Sequence, residues 1–226
     1  MEFMLNSCNR KEIEEALSWG IVRGITMNPS MLGRSGGSFL ETFKQIRAMT
    51  DVKVFAQVVA EDPQGILNQG RALASLGDNI IVKVHTNING IKGMQLLKSE
   101  GIPVCATAVH SVIEALVAGA VGADYVAVFV GLLAEVDGND SNQLLTDIHR
   151  AYTESRFSTK IMAAARTVNH LVHSATIGID AATSPFSIWS NFLNNIHTRN
   201  RWNAFSSDWK KAFGDRTWAT ELSDKR

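Results

Sequence analysis

The sequence predicts an α/β chain folded as a closed parallel (β/α)8 barrel, the TIM barrel, with one additional helix at its C-terminal end. Three observations predict it. Short β-rich runs alternate with longer helical patterns eight times. The strand-helix repeats take about 20 to 30 residues each, with no linker or break in composition, as a barrel requires. The run Ile80-Ile81-Val82-Lys83-Val84-His85 is apolar on both sides of one lysine, the mark of a strand covered on both faces. An open doubly wound sheet is the other arrangement of such repeats. It has less support, because no glycine-rich phosphate fingerprint follows the first strand, where Ser7-Cys8-Asn9-Arg10 stands.

In chain order, the strand at Glu2 to Asn6 leads to a helix from Lys11 to Trp19, and the strand at Gly24 to Asn28 to a helix from Phe39 to Met49. Val54 to Val59 precedes the helix Gln64 to Leu76, and Ile80 to His85 precedes Ile91 to Glu100. Pro103 to Val109 is followed by Val112 to Val121, and Tyr125 to Val130 by Leu144 to Tyr152. Lys160 to Ala165 is followed by Asn169 to Ile177, and Ala181 to Ser184 by Phe186 to Ile196. The chain of 226 residues, 45% hydrophobic and 19% charged, suits a single barrel domain over its whole length.

Composition also narrows the partners. Lys+Arg and Asp+Glu both total 22, so no basic field is offered to nucleic acid or to an anionic membrane. The two cysteines, Cys8 and Cys105, are too few for a disulfide framework and are expected as free thiols in a reducing compartment. The N-terminal Met1-Glu2-Phe3-Met4-Leu5-Asn6 has no signal-peptide pattern, and the longest apolar stretch, Tyr125 to Ala134, is about half a bilayer span. A cytoplasmic protein is expected.

Lys83 is the residue with chemistry to offer. Burial disfavours an ammonium and lowers its pKa, and the resulting amine can attack a ketone to form a Schiff base. The plain alternative is an edge-strand lysine with its head in water. Period-two alternation puts Ile81, Lys83 and His85 on one face, with Phe55, Gln57 and Val59, Cys105, Thr107 and Val109, and Tyr125, Ala127 and Phe129 grouped likewise on neighbouring strands. Thr26 and Asn28 end the second strand, with Pro29 holding Asn28 extended; taken alone, Asn28 is as well read as a turn former.

Gly24-Ile25-Thr26-Met27-Asn28-Pro29-Ser30, Val82-Lys83-Val84, Glu100-Gly101-Ile102-Pro103-Val104 leading to Thr107-Ala108-Val109, and Gly122-Ala123-Asp124-Tyr125-Val126-Ala127 resemble the small transaldolase and fructose-6-phosphate aldolase family. The resemblance runs nearly end to end and includes the closing Asp208-Trp209-Lys210-Lys211-Ala212-Phe213-Gly214. It implies a class I aldol mechanism with neither metal nor cofactor, acting on sugar or sugar-phosphate substrates. Lys83 would form a Schiff base with a ketose, and the dihydroxyacetone unit would be transferred to an aldehyde or released. Gln57 and Thr107 would position a water for proton transfer, and Thr26 and Asn28 would bind donor hydroxyls.

Departures from the family pattern matter as much. Asn6 stands where the family has an aspartate, which keeps hydrogen bonding but gives up proton exchange. Leu132 stands in place of a phosphate-gripping arginine and Ala164 in place of a serine, leaving Arg166 as the remaining phosphate ligand. Phe129 matches the transferase branch and Gln57 the aldolase branch. His85 replaces a proline, and is either a ligand for a polar substrate or a packed structural histidine. These losses also motivate an alternative: a catalytically impaired barrel that binds a sugar without turnover.

Three further stretches carry weaker signals. Gly33-Arg34-Ser35-Gly36-Gly37-Ser38 reads as a surface loop more readily than as an anion cradle. Asp137-Gly138-Asn139-Asp140 lacks the ligand spacing of a calcium loop, so no metal is expected. Trp202, Phe205, Trp209 and Phe213 recur at helical spacing within a helix placed at 199–214. Such a helix either closes its own barrel or packs on a neighbouring subunit; the resemblance implies the latter, in a homo-oligomer of pentamer or decamer type.

Overall fold

Eight parallel strands close on themselves in sequence order, each hydrogen-bonded to the next and β8 to β1. The structure, a computed structural model, describes residues 1–36, 38–131 and 141–223. The strands are β1 (Glu2–Asn6), β2 (Val22–Thr26), β3 (Lys53–Gln57), β4 (Ile80–His85), β5 (Val104–Val109), β6 (Tyr125–Val128), β7 (Lys160–Ala164) and β8 (Ala181–Pro185). Around them run α1 (Arg10–Ser18), α2 (Pro29–Ser35), α3 (Phe39–Ala48), α4 (Pro63–Ala74), α5 (Ile88–Ser99), α6 (Val112–Ala120), α7 (Ser141–Ser155) and α8 (Val168–Thr176). They are followed by α9 (Phe186–Leu193), α10 (Ile196–Phe213) and α11 (Trp218–Ser223). The (β/α)8 barrel is therefore the fold, and the open sheet is excluded.

Several boundaries differ from the sequence reading, mostly on the side where the strands end. β2 spans Val22–Thr26 rather than Gly24 to Asn28, and β3 stops at Gln57. Asn28 is taken instead by α2, a helix the periodicity did not announce: its Oδ1 accepts from the Met31 N–H, and Pro29 sits at the first helical position. Gly33 and Arg34 belong to that helix rather than to a loop. The helix expected over Phe186 to Ile196 breaks after Leu193, because Asn195 caps a second helix by accepting from the His197 and Thr198 N–H groups. Caps of the same kind at Asn9, Asp62, Asn87, Ser111 and Thr167 open the helices that follow β1, β3, β4, β5 and β7. They fix the loops at the C-terminal mouth of the barrel.

Three layers fill the barrel. At the N-terminal mouth the Glu2 carboxylate accepts from Lys53 Nζ at 2.9 Å and Lys160 Nζ at 2.7 Å, with the Tyr125 hydroxyl against Lys53. The middle is apolar, built from Met4, Phe55, Ile81, Cys105, Met162 and Ala181. Gly24 is glycine because a Cβ there would lie 2.5 Å from Met4 Sδ. The upper layer is polar. Strand pairing puts Gln57 beside Lys83 and His85 beside Thr107 in register.

The chain divides into two compact units, Met1–Ile188 and Trp189–Arg226. In the second, α10 buries none of its residues, and Trp202, Phe205 and Phe213 are exposed along it. Trp209 is held locally: its ring lies against Phe213 and Trp218, and its indole N–H donates to the Arg216 carbonyl at 2.8 Å. No described helix is long and apolar enough to cross a membrane.

Candidate active site

At the C-terminal end of the strands, a pocket is lined by Asn6, Thr26, Asn28, Lys83, Phe129, Ala164, Arg166 and Thr183, with Ala127 and Met162 at its floor. Six of these were singled out in the sequence for chemistry or binding. Alternation brings them together: β1 contributes Asn6 above Met4, β4 contributes Lys83 above Ile81, and β8 contributes Thr183 above Ala181.

Lys83 is 5% exposed, which excludes a lysine with its head in water. Its ammonium donates to the Met27 carbonyl at 3.2 Å, and among the described residues no carboxylate pairs with it. Burial holds its pKa below the ordinary lysine value; the neighbouring Cys105 opposes this weakly. The Cys105 thiol is itself pushed up to about 12 by burial, so it stands beside Lys83 as a neutral group. Both cysteines are free.

Thr26 and Thr183 are buried, and their hydroxyl oxygens lie 2.5 Å apart. Asn6 Nδ2 donates to both the carbonyl oxygen and the hydroxyl of Thr26, at 3.0 and 3.1 Å. Because the carbonyl only accepts, the side-chain orientation of Asn6 is fixed. Asn28 spends its Oδ1 on the α2 cap, which leaves its amide hydrogens as its contribution to the pocket. Arg166 is exposed at the rim, and its stem crosses Gly131, where a Cβ would lie 2.0 Å from Arg166 Cγ.

Gln57, Thr107 and His85 do not line this pocket. Gln57 is half-buried and borders an apolar groove formed with Leu32, Phe39, Phe43, Val59 and Leu73. Thr107 is fully buried, and its hydroxyl has no hydrogen-bond partner. His85 is half-buried above Lys83. Leu132 and the stretch Asp137 to Asp140 lie outside the described residues. Thr183 is the residue the sequence reading missed. It lay within an expected strand, and alternation from Ala181 would have turned it inward.

Known proteins resemble this chain over nearly its whole length. A model of the Transaldolase/Fructose-6-phosphate aldolase family matches residues 3–225. The chain is 36% identical over 212 residues to a probable transaldolase of Aquifex aeolicus, covering 93% of this chain and 97% of that protein. It is 34% identical over 215 residues to one from Coprothermobacter proteolyticus, with 95% and 99% covered, and 35% identical over 211 residues to one from Methanococcus maripaludis, with 93% and 98% covered. Among solved structures, a mandelate oxidase variant superposes with a TM-score of 0.58 at 12% identity, covering 78% of this chain and 60% of that one, which is a likeness of fold alone. With the barrel, the strand lysine and relatives matched over nearly their full length, the chain belongs to the transaldolase/fructose-6-phosphate aldolase family.

Proposed function

We propose that this chain is a transaldolase that works through a Schiff base on Lys83. The observation that carries the reading is the buried Lys83 amine, its charged form disfavoured, in a pocket shared with the amide and hydroxyl groups of Asn6, Thr26, Asn28 and Thr183. The amine attacks the ketone carbon of a ketose, and the carbinolamine loses water to give an iminium. The hydroxyl on the fourth carbon then gives its proton to the positioned water as the bond between the third and fourth carbons breaks, the electron pair of that bond passing to the iminium as an enamine while the fourth carbon leaves as an aldehyde. The enamine adds to a second aldehyde, and water releases the new ketose and the free amine.

Thr26, Asn28 and Thr183 are assigned to the donor hydroxyls. Asn6 orients Thr26. Gln57 and Thr107, on the strands either side of β4, are assigned to the water that moves protons; the unpartnered Thr107 hydroxyl supports that role. Phe129 has no hydroxyl to assist protonation of the enamine, which favours transfer over release, as do the relatives named probable transaldolase. Arg166 would face the substrate's phosphate end, and His85 the outer rim. We assign the exposed aromatic face of α10 to contact with a second copy in a homo-oligomer.

The test is to incubate the protein with dihydroxyacetone or fructose 6-phosphate, reduce with borohydride and map the adduct by peptide mass. A stable adduct on Lys83, absent from Lys83→Met, is expected. A folded protein that gives no adduct with any ketose overturns the reading.

A further inference from the structure

Among the described residues, two that are not glycine have positive φ: Arg156, which follows α7, and Ala108, at 57° inside β5. A left-handed alanine within a strand is sterically costly, so something must hold it there. It sits in a bulge: Ala106 pairs with Val126 but Val109 with Val128, so β5 carries one residue more than β6 between the two pairs.

The holding contact comes from His110. Its Nδ1 lies 2.8 Å from the Ala108 carbonyl oxygen, and since that oxygen only accepts, Nδ1 carries the hydrogen. His110 is anchored in turn. Its backbone N–H donates to Glu114 Oε2 at 2.8 Å, and that carboxylate also accepts from the Ser111 hydroxyl at the start of α6. The imidazole stands edge-on to the Phe129 ring at 5.5 Å between centroids, and the Phe129 N–H donates to the Val109 carbonyl. The bulge therefore lies between two residues already tied to the site. Thr107, with its unpartnered hydroxyl, precedes it, and Phe129, a pocket wall, leans on its far side.

We propose that His110 is a positioning residue: its Nδ1–H bond to the Ala108 carbonyl holds the left-handed bulge that fixes the orientation of the buried Thr107 hydroxyl beside the site and seats the Phe129 ring at the pocket. The inference rests on the Schiff-base reading for its kinetic consequence and on backbone geometry for the device itself. Two substitutions separate the hydrogen bond from the ring contact. His110→Phe keeps a ring against Phe129 and removes the donor. His110→Asn loses the ring and can return an amide hydrogen to the place of Nδ1.

The experiment measures borohydride trapping on Lys83, steady-state turnover and the crystal structures of the variants. His110→Phe is expected to trap the ketose on Lys83 as the parent does while kcat falls by about 100-fold, the usual cost of a small misplacement of reacting groups, with KM little changed. His110→Asn should recover most of that loss. So should the double variant His110→Phe with Ala108→Gly, because glycine holds a positive φ without help. In the crystal, Ala108 of His110→Phe should leave the left-handed region and the Thr107 side chain should turn. Unchanged kcat in His110→Phe, or an equal fall in His110→Asn, would overturn the proposal. If the parent protein traps no ketose, the Schiff-base reading fails by itself; the crystal structure of His110→Phe then decides, and an Ala108 still left-handed overturns the device.

Discussion

Asn6 donates its side-chain amide to the Thr26 carbonyl at 3.0 Å, an arrangement that a carboxylate at position 6 could not reproduce. The same amide also reaches the Thr26 hydroxyl, which lies 2.5 Å from the Thr183 hydroxyl and 3.5 Å from the Leu5 carbonyl. Asn6 thus anchors one end of a short chain of buried hydroxyls, Thr26 and Thr183, at the pocket. It also leaves Lys83 without a nearby anion.

Asn6→Asp should change that electrostatic setting. A carboxylate in the same pocket favours the ammonium form, so the pKa of Lys83 should rise. The pH dependence of borohydride trapping reads this directly. Its acid limb should move to higher pH in the variant, and an unmoved limb would mean that positions 6 and 83 do not share a field.

Lys83→Met should make the protein more stable at neutral pH. In the unfolded chain the amine titrates near 10.4, whereas burial lowers its pKa in the folded state. Between those values the unfolded state binds the extra proton, so folding stability is lost as pH falls from the unfolded value through the folded one. Methionine carries no such linkage. Thermal melts should show the variant ahead at pH 7, by about 1 kcal/mol or more, with the gap closing towards pH 10. Equal melting at both pH values would show that the amine is not desolvated.

How far the sequence went follows from which signals it carries. Alternation and strand length made the barrel legible, and the same period-two rule put Lys83 on one face with Ile81, whereas Asn6 was reached through the family resemblance and not through its face. The Asn28-Pro29 start of α2 was also present as a capping signal but was absorbed into the strand-end reading. Thr183 was missed because the pattern of β8 was read for its existence and not for its face. The bulge at Ala108 had no signal at all, since alanine has no preference for positive φ, and only the His110 contact explains it. Where Gln57 and Thr107 sit relative to the pocket depends on side-chain direction at strand ends, which strand pattern does not encode.

Glu2 should set part of the acid stability of the barrel. Burial raises its pKa, but the hydrogen bonds and charges of Lys160 and Lys53 outweigh this, and the net shift is downward. A carboxyl held below its unfolded value contributes stability above that value, near 4.3, and loses it as pH falls through the folded value. Glu2→Gln should cost about 1 kcal/mol at pH 6, a figure kept small because both lysines are partly solvated. The difference from the parent should shrink towards pH 3. A constant difference across that range would assign the loss to packing.

The exposed face of α10 should show itself in assembly size. Trp209 is a poor probe, because its contacts with Phe213, Trp218 and the Arg216 carbonyl are internal to its own unit. Trp202 and Phe205, 66% and 63% exposed, are the cleaner ones. Truncating an aromatic anchor at an interface costs about 2 kcal/mol or more of association. Trp202→Ala with Phe205→Ala should therefore elute as smaller species at micromolar concentration without a change in far-UV circular dichroism. Unchanged elution would remove this face from the interface.

The phosphate end of the substrate should be held weakly. Phosphate recognition is strongest when a guanidinium and hydroxyl donors converge on the same oxygens. Here Arg166 stands at the rim with its stem against Gly131, and Ala164, which also lines the pocket, brings no hydroxyl. Phosphorylated aldehydes should accordingly hold only a small advantage over neutral ones as acceptors. Ala164→Ser restores one donor within the pocket and should raise kcat/KM for glyceraldehyde 3-phosphate well above any change for glyceraldehyde. A hydrogen bond to a charged group contributes about 1.5 to 3 kcal/mol, so the gain in selectivity should be about 10- to 100-fold. Gly131→Ala should act in the opposite sense, because a methyl group 2.0 Å from Arg166 Cγ must displace the arginine stem. Its effect should fall on the phosphorylated acceptor and spare the neutral one, which measures the contribution of Arg166 without altering its charge. If the parent protein already prefers the phosphorylated aldehyde by a hundredfold, the anion is held elsewhere, and Arg34 and His85 are the side chains to replace next.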